Sequence, residues 1–107
     1  MKQLFVVIVL IGLSLPLNLL AQRVGGGDIV FRPSVPGVKP VLFSHEKHVS
    51  EKGIKCCRCH YEIFEMARGS YGMNMEKITK GEFCGMCHNG RDAFDVHDKT
   101  LCEKCHH

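Results

Sequence analysis

Residues 56–106 carry three copies of one five-residue pattern: Cys56-Cys57-Arg58-Cys59-His60, Cys84-Gly85-Met86-Cys87-His88 and Cys102-Glu103-Lys104-Cys105-His106. A disulfide framework has no use for a histidine at a fixed place after each cysteine pair. Covalent haem attachment does: two sulfurs form thioethers with the two vinyl groups, and the next residue brings its imidazole to the iron. The pattern predicts three c-type haems, held by Cys56 and Cys59, Cys84 and Cys87, and Cys102 and Cys105, with His60, His88 and His106 as proximal ligands. Zinc and iron–sulfur sites also use Cys-x-x-Cys, but they seldom require histidine after every pair, and three pairs do not divide into whole four-thiolate sites. Cys57 lies inside the first motif in a register one residue too short, which makes it a spectator thiol.

The chain has 107 residues, with 7 Cys and 7 His, and its 45% hydrophobic content is concentrated at the start. Lys2, the apolar run 4–13, Pro16 and the sequence Leu19-Leu20-Ala21 form an export signal, with cleavage expected after Ala21. An uncleaved anchor would need a longer, uninterrupted run. No cysteine lies near the junction to take a lipid. The predicted organisation is a signal peptide over 1–21 and a trihaem domain over 22–107, released outside the cytoplasm with no stable membrane insertion. Those 86 residues, the 107 less 21, contain no Trp and few large apolar side chains, so three porphyrins must themselves form the core.

Regular structure should be sparse. Ile29-Val30-Phe31 and Val41-Leu42-Phe43 read as two strands separated by Pro33, Pro36, Gly37 and Pro40, and Gln22 to Asp28 with its three glycines as a flexible lead. Ser44 is a candidate helix N-cap, residues 75–80 a turn or two of helix, and residues 68–72 a loop. The expected fold is small and mostly irregular, with short helices and an N-terminal two-stranded hairpin. His45, His48, His97 and His107 remain for the distal iron positions. His45 and His48 stand three apart and would diverge by about 60° on an α-helix, so they suit two neighbouring irons better than one. His107, at the end of the chain beside a proximal ligand, is expected in solvent.

The segment Val41-Leu42-Phe43-Ser44-His45-Glu46-Lys47-His48, followed by three C-x-x-C-H motifs, resembles the trihaem cytochromes of the c-seven type, relatives of the c-three cytochromes. The resemblance implies a c-three/c-seven-like multihaem fold, His45 opposite His60, His48 opposite His88, and Phe43 between those two haems. Residues 75–90, Met75-Glu76-Lys77-Ile78-Thr79-Lys80-Gly81-Glu82-Phe83-Cys84-Gly85-Met86-Cys87-His88-Asn89-Gly90, are similar to c-seven-type domains of long multihaem chains in which the third haem takes His and Met. The simpler c-seven proteins carry a histidine shortly before the second motif, and here none lies between Cys59 and Cys84. Met75 is then the matching distal ligand of the third haem, with Met73 its neighbour and His97 a rival outside the pattern.

The formal charge of +3 falls to +2 without Lys2, and three haems with ionised propionates bring it to roughly −1 oxidised and −4 reduced. The basic residues are dispersed and no stacking platform accompanies them, so nucleic-acid binding is not expected. The expected role is a non-enzymatic, preferably monomeric periplasmic electron carrier that meets redox proteins, between an inner-membrane quinol-linked donor and a downstream reductase or extracellular acceptor. Two alternatives stand beside it: a subunit or filament-forming unit of a larger multihaem assembly, and a haem reductase with an open iron.

Overall fold

A computed structural model of the protein describes residues 23–67 and 72–107. The expected export signal and most of the loop expected at 68–72 lie outside the described residues. Two short strands, β1 (Asp28–Phe31) and β2 (Val41–Ser44), pair antiparallel in the register Asp28↔Ser44, Ile29↔Phe43, Val30↔Leu42 and Phe31↔Val41. Strand side chains alternate between faces. Phe31, Val41 and Phe43 therefore share a half-buried face, while Val30 and Leu42 are exposed on the other. The connection turns at Val35-Pro36-Gly37-Val38, where the Val38 N–H donates to the Val35 carbonyl at 3.4 Å. Proline sets the second position of this turn and Gly37, at φ 80°, supplies the positive angle that the third demands.

After β2 the chain enters two wide π turns, Glu46–Glu51 and Arg58–Ile63. In the first, the Lys52 N–H donates to the Lys47 carbonyl; in the second, the Phe64 N–H donates to the Cys59 carbonyl. Each bond spans five residues rather than four. Isolated π turns are uncommon and concentrate at functional sites. The helix expected from Ser44 is thus this wider turn, beginning at His45 after the strand ends.

The helix α1 spans Met75–Thr79 and is capped at both ends. Asn74 Oδ1 accepts from the Lys77 N–H at 3.0 Å. At the other end Gly81, at φ 91°, lets its own N–H reach the Ile78 carbonyl and the Glu82 N–H reach the Lys77 carbonyl, the paired bonds of a Schellman ending. Two 3₁₀ segments follow, Phe83–Met86 and Lys99–Lys104. The C-terminus returns to the hairpin: His106 bridges Val41, and the His107 N–H donates to the Pro40 carbonyl at 3.2 Å, leaving the His107 side chain exposed as expected.

Among the described residues no hydrophobic side chain is buried. The buried positions are Gly27, His45 and Gly85. Hairpin, π turns and 3₁₀ segments thus form a shell without an apolar side-chain core of its own, as the composition implied. No helix among the described residues is long and apolar enough to cross a membrane.

Candidate haem-binding site

Two histidine pairs face one another. His45 and His60 have ring centroids 6.4 Å apart and planes 3° from parallel; His48 and His88 are also 6.4 Å apart, with planes at 64°. Metal–nitrogen bonds of about 2 Å, with each ring centre about 1 Å behind its nitrogen, put two axial imidazoles about 6 Å apart across one iron. Both pairs have that spacing. Phe43, carried on β2, lies between the His45 and His48 rings, stacked on His48 at 4.4 Å and edge-on to His45 at 5.0 Å.

Four histidines are also oriented through the nitrogen that would not bind a metal. The Nδ1–H of His45 donates to the Gly27 carbonyl at 2.6 Å and that of His48 to the Ser44 carbonyl at 2.8 Å. His88 Nδ1 donates to the Phe94 carbonyl at 3.1 Å and His106 Nδ1 to the Lys39 carbonyl at 2.8 Å. A proton fixed on Nδ1 leaves Nε2 with its lone pair, the form an imidazole needs to ligate iron. Burial pushes the His88 pKa down, reinforced by the nearby His48 and opposed by the Phe94 carbonyl, which favours the neutral ligand form. These residues fit the predicted haems on donor chemistry and on spacing.

The second and third attachment loops are built alike. In each, the first cysteine's carbonyl accepts from the second cysteine's N–H and from the histidine's N–H: Cys84 from Cys87 and His88, Cys102 from Cys105 and His106. That tight turn fixes the backbone of each motif from its first cysteine to its histidine. None of the seven cysteines is in a disulfide. Burial pushes the Cys59, Cys84 and Cys105 thiols up, with a further push from Cys87 on Cys59 and from Cys105 on Cys84. The three loops therefore lie close enough to influence one another. Cys57 is exposed and takes part in none of this.

The third position differs. Among the described residues no imidazole faces His106. His97 has both ring nitrogens in hydrogen bonds to protein: Nδ1 donates to Asp95 Oδ1 at 2.7 Å and Nε2 to the Thr79 carbonyl at 2.9 Å. In this arrangement both ring nitrogens of His97 are engaged with protein oxygens. The cause is Asp95, two residues away, which takes both the ring and the main-chain N–H of His97. Met75 opens α1 and is about half exposed, while Met73 precedes the helix cap.

The glycine-rich lead is not a loose tether. Val24–Gly26 forms a 3₁₀ turn against the first π turn. Gly25, at φ 62°, lies so close that a Cβ there would overlap the His45 ring, and Gly27 supplies the carbonyl that ring donates to. Gly85 is equally constrained, since a Cβ there would overlap the Ile78 carbonyl where α1 rests on the second attachment loop. Nothing in the sequence singled out these glycines; only the run of three was a signal, and it suggested flexibility.

A profile of the family described as "Cytochrome c7 and related cytochrome c" matches residues 41–107. A solved "c7-type three-heme cytochrome domain" is 37% identical, with 76% of this chain and 93% of that chain covered and a TM-score of 0.62. A dodecahaem cytochrome c is 33% identical over 74% of this chain with a TM-score of 0.63, and this chain spans 24% of its length. An N-terminal hexahaem fragment of the same protein is 34% identical over 75% of this chain with a TM-score of 0.64, and the chain spans 48% of it. No curated protein matches the chain.

Proposed function

Because the chain belongs to the cytochrome c7 family, with three covalently bound c-type haems, we propose that it is an exported electron-transfer protein that shuttles electrons in the periplasm. Its donor is a quinol-linked complex of the inner membrane, and its acceptor a downstream reductase or an extracellular oxidant. The haems, when bound, supply iron that accepts and returns one electron each. The carrying observation is the pair of histidine sandwiches, His45 with His60 and His48 with His88, each at 6.4 Å. With an imidazole on each side, neither of these two sites would leave an open position for a substrate.

In this reading Cys56 and Cys59, Cys84 and Cys87, and Cys102 and Cys105 hold the three rings, and His60, His88 and His106 are the proximal ligands. His45 closes the first site and His48 the second, each held by the backbone carbonyl at its Nδ1. Phe43 fills the space between them and keeps water from their inner faces. Met75 closes the third site, supported by its position at the start of a capped helix and by the engagement of both His97 nitrogens. Thioether ligation favours the ferrous state and gives that haem the highest potential of the three.

Redox titration of the purified holoprotein, followed optically and by paramagnetic resonance, tests the reading. It should contain three haems per chain, all low-spin when oxidised, and exchange three electrons. A high-spin ferric haem in the parent protein would instead support reduction of a small molecule at an open iron. The similarity to hexahaem and dodecahaem chains favours a second reading, a unit of a larger multihaem assembly. A monomer by size measurement across concentrations supports the free carrier, whereas stable oligomers or filaments support the assembly.

A further inference from the structure

His97 joins two segments that the chain otherwise separates. Its Nε2 donates to the Thr79 carbonyl, at the C-terminal end of α1, while its Nδ1 and main-chain N–H both reach Asp95 Oδ1. Both partners of the ring are oxygens, so both nitrogens carry protons and the ring is an imidazolium. A cation on a terminal carbonyl of a helix is favourably placed against the helix dipole. The segment it belongs to is itself built: Asn89 Oδ1 accepts from the Arg91 and Asp92 N–H groups, and the Val96 N–H returns to the His88 carbonyl at 3.1 Å. α1 is thus fastened at two points, at Gly85, where the Ile78 carbonyl rests, and at His97.

We propose that His97 is a positioning residue: it latches the end of α1 to the 89–98 segment, and through that short helix it holds Met75 at the third haem. This rests on Met75 being that haem's distal ligand. Five helical residues extend only about 7 Å. A shift at Thr79 is therefore passed to Met75 nearly undiminished, because the caps at Asn74 and Gly81 make the helix move as one piece.

The test compares the parent holoprotein with His97→Ala, His97→Gln and Met75→Ala, reading the weak far-red absorption band of thioether-ligated ferric haem and the midpoint potential of each haem. The latch predicts that His97→Ala weakens the band and lowers the third haem's potential while the other two are unchanged. His97→Gln, whose amide can still donate to the Thr79 carbonyl, should recover part of both signals. Amide exchange at Lys80, Gly81 and Glu82 should speed up about two- to five-fold in His97→Ala, as loss of a solvent-exposed charged contact implies. If Met75→Ala abolishes the band but His97→Ala matches the parent in band and potential, the latch is wrong and the ligand assignment stands. If Met75→Ala changes nothing and His97→Ala opens the third iron, the ligand assignment itself fails. Should His97→Ala not accumulate, Asp95→Asn carries the test: it weakens the same anchor, and an unchanged band and potential there would overturn the proposal.

Discussion

The first two haem positions and the third solve the same problem by different means. At the first two, a six-residue stretch from Phe43 to His48 supplies both proposed distal imidazoles and the aromatic ring between them, and His45 and His48 stand 6.4 Å from His60 and His88, their proposed proximal partners. At the third, the proposed proximal His106 is oriented by the carbonyl of Lys39, 67 positions earlier, and the proposed distal methionine sits on a helix fixed by contacts with two other segments. One turn presents both rings, His48 held by the Ser44 carbonyl within it and His45 by the Gly27 carbonyl of the lead. A site closed from three distant segments depends on the whole fold, which makes it the more adjustable one and the natural place for a distinct potential.

The largest expected effect breaks both halves of this comparison at once. Because no hydrophobic side chain among the described residues is buried, the chain cannot collapse without its cofactors, and Cys59→Ala or Cys105→Ala should prevent accumulation of folded protein. The check is holoprotein yield and circular dichroism of the chain made without haem. A dispersed NMR spectrum from a monomeric apo-chain would refute it.

Next in size are the distal ligands. His45→Ala should open the first iron alone and His48→Ala the second alone, each producing one high-spin haem, since the two rings face different partners. Variants that opened the same haem would dissolve the distinction between the pairs. Smaller again is Gly25→Ala, which strains a residue at φ 62° and pushes on the His45 ring. It should cost about 1–2 kcal/mol, the penalty for a left-handed residue bearing a Cβ, measured as a lower unfolding midpoint. The first haem's spectrum should change and the third's remain as in the parent.

The smallest effect is on pH, and it belongs to the third position. The Asp95 carboxylate, then the Thr79 carbonyl, hold the His97 pKa above its ordinary 6.5, and the His97 N–H groups hold Asp95 below its ordinary 3.8. A raised pKa stabilises below the unfolded value and is lost as pH rises through the folded one. A lowered carboxylate pKa stabilises above its unfolded value and is lost as pH falls through the folded one. The contact is therefore strongest between the two, and alkaline pH should loosen α1 by the route that His97→Ala does. Both groups are solvent-exposed, so the change in stability should be slight; amide exchange at Lys80 against pH is the sensitive measure.

The attachment sites were legible because their chemistry is local: two sulfurs and an imidazole must lie within five residues to reach one ring, and spacing alone conveys that. The hairpin was legible for a similar reason, with β-branched and aromatic runs either side of Pro36-Gly37. Sequence by itself also determined that the core must be borrowed, since the chain has too few large apolar residues to build one. What only the tertiary structure decided are the contacts that cross the chain. Gly25 and Gly27 look like a linker until the His45 ring, 18 residues beyond Gly27, is found packed on them. His97 looks unattached until Asp95 and Thr79 are found at both its nitrogens. A glycine's meaning lies in what approaches it, and a histidine's in which of its nitrogens is left free. Neither is a property of the residue alone: the His45 ring comes to the glycines from 18 residues beyond Gly27, and His97 is held by a carboxylate two residues away together with the Thr79 carbonyl 18 residues back.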